Sequence, residues 1–194
     1  MKALQELIND ISTLRKDEID CKRLQHMVAK HQIDINQISG IEIDDNSDYF
    51  RKPILQDLVN IYLMYWPAGI VSSIHQHSNF GSIIKVCKGK LYERSFKYLH
   101  EQLALEELAE QNYKEGDILI EEPNAIHEVS NPSQIEMAVS LHVYFPGVQN
   151  LSGSRLFDVK KNKIAILSDK ASSFGWNQPE EAFSEVSCTP IHII

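Results

Sequence analysis

Residues 69–77 read Gly69-Ile-Val-Ser-Ser-Ile-His75-Gln-His77. On a β-strand, residues two apart project to the same side, so His75 and His77 present two imidazoles to one volume. That is a metal-ligand arrangement, and imidazole suits iron, zinc, copper and nickel. An H-x-H pair alone is equally compatible with a surface pair, so its meaning depends on what surrounds it.

The surroundings are β-rich. Short strand-like runs follow one another at Leu58–Trp66, Ser82–Cys87, Lys90–Leu99, Asp117–Ile120 and Met137–Phe145. Turn residues separate them at Pro67 to Gly69, Lys88-Gly89, Glu115-Gly116 and Pro123-Asn124. Many short strands with regular turns predict a sandwich or barrel. Leu103–Gln111 conflicts locally, because its Leu, Ala and Glu are good helix formers. Its place between strands of a double-sheet barrel assigns it to a strand. Ala171–Ala182 is polar and loop-like, and Val186–Ile194 is expected to be a last strand packed on the barrel.

Before Arg51 the pattern is helical. Leu4, Leu7, Ile8, Ile11 and Leu14 recur at helical spacing. Asp17 is expected to cap a second helix carrying Ile19, Leu24, Met27 and Val28, and a third short helix is expected after Asp34. With no repeat, low-complexity tract or linker, residues 1–194 are expected to be one domain. Residues 1–45 would form a helical segment packed on its barrel.

Composition narrows the function classes. The chain has 194 residues, a formal net charge of -8 and no Lys/Arg-rich run, unlike a nucleic-acid binder with its basic face. Cys21, Cys87 and Cys188 are odd in number and form no C-x-x-C pair, which argues against a zinc ribbon or redox dithiol and for a reducing compartment. No apolar run approaches the roughly 18 residues of a membrane span, and the opening segment is interrupted early by acidic residues. A cytoplasmic protein is expected, without nucleic-acid or membrane partners, as a monomer or weak homo-oligomer.

Further spacing gives the histidine pair its meaning. Gly89 follows His77 by twelve residues, Gly116 precedes His127 by eleven with Pro123 between them, and Asn131 follows four residues later. These are similar to the two cupin motifs, although Pro123 stands one place later than usual. The resemblance implies a mainly β fold, a cupin double-stranded β-helix (a small β-barrel) with short N-terminal helices. Most metal cupins add a glutamate ligand just after H-x-H, but here Ser78-Asn-Phe-Gly-Ser82 carries no carboxylate. A metal on His75, His77 and His127 would keep more positive charge and favour an anionic ligand such as a thiolate. In Ala138-Val-Ser-Leu-His-Val-Tyr144, alternation places Ser140, His142 and Tyr144 on one face. That stripe is either a relay toward the metal, a satisfied buried network or a solvent-facing row.

Together these pieces resemble the cysteine dioxygenases, cupins with a three-histidine iron site. The matching stretches are Tyr49-Phe-Arg51, Ser72 to His77, Lys85 to Gly89, Ile126-His127-Glu-Val and Ala138 to Tyr144. The resemblance implies Fe(2+) on His75, His77 and His127, and L-cysteine and O2 as substrates. It implies a substrate carboxylate gripped by Arg51, a pocket shaped by Tyr49 and Trp66, and Tyr144 near the substrate, oriented by His142 and Ser140. Some members cross-link a cysteine to that tyrosine, but the matching position is Ser82, so no thioether forms there, as in bacterial-type members. Phe145-Pro146 matches a place where the family has a cis bond. Three rivals stay open: a 3-mercaptopropionate dioxygenase, a zinc-dependent cupin and a non-catalytic binding cupin. His26, His31, His100 and His192 are expected at the surface.

Overall fold

The computed structural model describes residues 2–35, 49–148 and 150–194. Two helices lead: α1 (Lys2–Ser12) and α2 (Cys21–Lys30). Thirteen strands follow among the described residues: β1 (Phe50–Gln56), β2 (Asn60–Trp66), β3 (Ile74–Gln76), β4 (Gly81–Lys88), β5 (Lys90–Leu99), β6 (Ala104–Lys114), β7 (Ile118–Glu121), β8 (Ile126–Ser130), β9 (Ala138–Phe145), β10 (Arg155–Asp158), β11 (Lys163–Leu167), β12 (Phe183–Cys188) and β13 (His192–Ile193). They form a five-stranded sheet, β1-β2-β9-β4-β7, and an eight-stranded sheet, β12-β11-β10-β3-β8-β5-β6-β13. This is the expected mainly β, cupin double-stranded β-helix.

The five-stranded sheet is covered on both faces, which is why β9 is buried from Ala138 to Tyr144. Val139, Leu141 and Val143 pack with Leu7, Leu24 and Val28 of the helices. On the other face Trp66, Ile84, Val86 and Tyr144 meet Leu156 and Ala165 of the larger sheet. In α1 the buried residues Leu4, Leu7 and Ile11 recur three and four apart, one apolar stripe laid on the sheet. Each such side chain contributes about 1.5–3 kcal/mol on full burial. A solvent-facing row of Ser140, His142 and Tyr144 is therefore excluded.

The cap of α2 is Asp20, whose side chain accepts from the Arg23 amide at 2.8 Å. The expectation of Asp17 is corrected: Asp17 lies in a separate 3-10 turn, Lys16–Glu18. Asp20 directly precedes the helix in an extended conformation, the geometry an N-cap needs. The other end of α2 is held from the barrel. Lys85 Nζ donates to the carbonyls of Val28 at 3.0 Å, Ala29 at 3.4 Å and His31 at 2.5 Å.

Residues 104–114 form a strand despite their helix-forming composition. They pair with β5 from Leu99↔Ala104 to Lys90↔Lys114, and cross-strand partners outweigh local propensity. The last segment divides into β12, antiparallel to β11, and the short β13, parallel to β6. Phe145–Pro146 is cis. His31 is buried, not at the surface, with Nε2 3.1 Å from Asp10 Oδ2. The helix expected after Asp34 and the segment boundary at residue 45 lie outside the described residues. No helix among the described residues is long and apolar enough to cross a membrane.

Candidate metal centre

Strand pairing brings the histidines together. β3 runs antiparallel to β8 with His75 directly opposite His127. His77, just past β3, is held by its amide donating to Ala125 O at 3.1 Å. All three are buried, and one nitrogen from each lies within 4.8 Å of the others. His75 and His127 approach to 3.1 Å, Nε2 to Nε2.

The outward nitrogens meet oxygens, which orients the rings. His75 Nδ1 lies 2.9 Å from Ser73 O, so that nitrogen carries the proton and Nε2 keeps its lone pair. His127 Nδ1 lies 3.0 Å from Glu93 Oε1 and is in close contact with Glu121 Oε1. His77 Nδ1 is 3.3 Å from Glu121 Oε2, though not aligned for a hydrogen bond. Ser82 donates to the same Oε2 at 2.7 Å, and Tyr113 donates to Glu93 at 3.2 Å. Two carboxylates thus stand behind the histidines, although none follows H-x-H in sequence.

The electrostatics divide the three histidines. Burial, reinforced by the neighbouring histidines, holds His75 and His77 well below the usual imidazole range. Burial would also depress His127, but Glu121 and then Glu93 override it and raise the group to about 10.

Beside the triad runs a polar chain. Trp66 Nε1 donates to Ser140 Oγ at 2.8 Å. Ser140 Oγ lies 2.8 Å from His142 Nε2, and His142 Nδ1 lies 3.2 Å from Tyr144 OH. Indole N–H can only donate, and the arrangement that also puts the Ser140 proton to use within the chain has Ser140 donating to His142 and His142 donating to Tyr144. The Tyr144 proton is thereby left to point outward. Burial pushes the Tyr144 phenol up and His142 well down, so the first keeps its proton and the second stays neutral.

Of the remaining expected residues, Tyr49 and Trp66 border the cavity at the triad and Arg51 borders the larger one outside it. Tyr49 stacks on Trp66 at 4.9 Å between ring centroids. Arg51 lies over the Tyr62 ring and donates from Nη1 to Ser172 O at 3.1 Å. Its buried Nε has no hydrogen-bond partner among the described residues. Sequence reasoning missed Glu93, Glu121 and Phe174. For Glu121 the signal was alternation, since Leu119 and Glu121 are the two buried positions of β7.

The model of the family cysteine dioxygenase type I matches residues 1–158. The chain belongs to this family. The cysteine dioxygenase type 1 of Homo sapiens is 26% identical over 183 residues, covering 92% of this chain and 90% of that one. The protein of that name from Bos taurus is 29% identical over the same shares. Among solved structures, a double-stranded β-helix protein from Klebsiella pneumoniae matches with a TM-score of 0.44 at 20% identity, covering 60% of this chain and 90% of that one. Ser82, where no cross-link was expected, faces Tyr144 directly across the pairing of β4 with β9.

Proposed function

We propose that this cysteine dioxygenase holds Fe(2+) on His75, His77 and His127 and oxidises L-cysteine with O2 to cysteine sulfinic acid. The observation that carries the reading is the buried triad of imidazoles beside the Trp66–Ser140–His142–Tyr144 chain, in a member of this family. The donor set fits: three imidazoles without a carboxylate ligand suit a borderline divalent ion and leave it receptive to a thiolate. Held by these three histidines, iron would supply a common site for thiolate and O2 and a path for electrons from sulfur to oxygen.

The protein's own groups do the rest. Arg51 binds the substrate carboxylate, for which its unpartnered Nε and planar fork are suited. Tyr144 offers its proton at the phenol oxygen, held in direction by His142 and Ser140. Tyr49, Trp66 and Phe174 keep bulk water away from the reacting sulfur. Sulfur is oxidised by four electrons, O2 is reduced by four, and both oxygen atoms end on sulfur. The three free cysteines accord with action in the reducing cytoplasm.

The test is oxygen consumption by iron-loaded protein with L-cysteine, beside His75→Ala. Uptake with sulfinic acid as product, lost in the variant, supports the reading. A preference for 3-mercaptopropionate would transfer it to that thiol. No uptake with either, despite bound iron, would overturn it in favour of a zinc enzyme or a binding cupin.

A further inference from the structure

Phe174 lies between β11 and β12, in the segment whose composition marks it as a polar loop. Yet it is only 2% exposed. Its ring stacks on His75 at 4.3 Å and 27° between planes, and lies 5.4 Å from His77. The segment is closed on itself by one side chain. Gln178 Oε1 accepts from Ser172 N at 2.8 Å, Ser172 Oγ at 3.2 Å and Ser173 N at 3.2 Å. Gln178 Nε2 donates to Ser173 O at 3.0 Å and Gly175 O at 2.7 Å. Ser172 of this segment also accepts from Arg51.

Two cavities meet at this ring. The outer one, about 220 Å³, is bordered by Arg51, Tyr62 and Ser172, and the inner one, about 10 Å³, by the three histidines. Phe174 and Tyr144 line both. A thiol reaching the metal with its carboxylate on Arg51 must therefore lie along Phe174. A flat ring stacked on a flat imidazole leaves no room on that side for a longer chain. Simple covering of the barrel would need apolar bulk, but neither the Gln178 clamp nor the bond to Arg51.

We propose that Phe174, held by Gln178, is a specificity-determining wall that limits the number of carbons between sulfur and carboxylate. The inference rests on the thiol dioxygenase reading and deepens it. A pocket wall of this kind discriminates one methylene by about 10–200-fold.

The test uses full-length protein loaded with cobalt(II), titrated with L-cysteine and L-homocysteine and read by thiolate-to-cobalt absorption, which requires no turnover. Wild type and Phe174→Leu are expected to bind cysteine about tenfold or more tighter. In Phe174→Ala the ratio falls to about twofold through tighter homocysteine binding, with cobalt affinity kept, and Gln178→Ala falls between. An unchanged ratio in Phe174→Ala overturns the proposal. If that variant does not fold, an unchanged ratio in Gln178→Ala does so, as does failure of either thiol to bind wild type. Failure of iron-loaded protein to consume oxygen, with the cobalt ratios as expected, would instead overturn the dioxygenase reading and leave the wall in place.

Discussion

The Ser82 hydroxyl donates a 2.7 Å hydrogen bond to the Glu121 carboxyl, and both side chains are buried. Glu121 in turn faces the outward nitrogens of His77 and His127. The carboxylate missing from the ligand set is thus present one layer back, on β7. Partners of this kind set ring orientation and typically govern 10–100-fold in metal affinity. Glu121→Gln, which keeps the shape, is expected to weaken Fe(2+) binding by about that factor. Ser82→Ala is expected to cost about 1–3 kcal/mol of stability by removing a buried partner. Competition with a chelator and denaturant midpoints measure the two.

The 3.1 Å approach of His127 Nε2 to His75 Nε2 leaves room for one shared metal ion or, without it, for one proton between them. His75 is held neutral with its own proton on Nδ1, so that proton belongs to His127, which is raised to about 10. Both Nε2 lone pairs face a metal only once it leaves. Below about 10 a metal therefore competes with one proton, and apparent affinity is expected to rise about tenfold per pH unit toward that value. Since His75 and His77 titrate well below 6.5, they add no further proton at neutral pH. Calorimetry in buffers of different ionisation enthalpy should give release of about one proton per metal. In Glu121→Gln the release at neutral pH should be smaller, because the charge that raises His127 is gone.

Much of this centre was legible in the sequence because period-two alternation is. It placed His75 with His77 and lined up Ser140, His142 and Tyr144, and the resemblance to the second cupin motif brought in His127. Alternation could not tell which neighbours would cover each face. The continuous burial of β9 comes from helices on one side and a second sheet on the other. Glu121 ends an apolar run beside Glu122 and Pro123 and so resembles an ordinary turn charge. Phe174 occupies a loop, whose path is fixed by the Gln178 clamp and by packing on His75, neither of which leaves a periodic trace. Asp17 was expected as the cap of α2, and the extended backbone of Asp20 with its bond from the Arg23 amide shows that the next aspartate serves instead.

The one-way chain from Trp66 gives a third expectation. Replacing Trp66 by Phe keeps an aromatic ring against Tyr49 but removes the donor to Ser140. Ser140 can then turn its proton elsewhere, and Tyr144 no longer receives a fixed bond. His142→Ala removes that bond outright. Positioned proton donors contribute about 10²–10⁴-fold, so kcat in His142→Ala should fall by roughly 10²-fold or more. Trp66→Phe should show a smaller loss. Iron content should stay near that of wild type in both, because neither residue touches the triad's outward nitrogens. Steady-state kinetics with metal analysis separates these outcomes from loss of the centre.

Lys85 tests how the helices are held. Its ammonium satisfies three carbonyls at the C-terminal end of α2, where the helix dipole also favours a cation. Burial lowers its pKa, so the contacts carry a desolvation cost as well as a gain. Lys85→Met keeps the stem and removes the donors. Bonds from a charged donor are worth about 1.5–3 kcal/mol, and the variant is expected to lose about 2–3 kcal/mol of stability. Amide exchange should accelerate first in α2 and α1, with the strands carrying His75, His127 and Tyr144 still protected.

Arg51 offers the sharpest separation of substrate binding from chemistry. Nη1 is engaged with Ser172 O, the guanidinium lies on Tyr62, and the buried Nε is unpartnered among the described residues. An arginine fixed on one edge and unsatisfied on another is prepared for a planar anion. Arg51→Lys keeps the charge but loses the fork, and the two groups are not interchangeable at a bidentate site. Losing one partner of a charge-assisted pair costs about 1.5–3 kcal/mol, so KM for L-cysteine should rise by roughly 10–150-fold, with kcat less affected. Cysteamine, which has the thiol and amine of cysteine without the carboxylate, should be used by Arg51→Lys about as well as by wild type. Equal losses for cysteine and cysteamine would mean that Arg51 acts on the pocket's shape through Ser172 rather than on the substrate carboxylate.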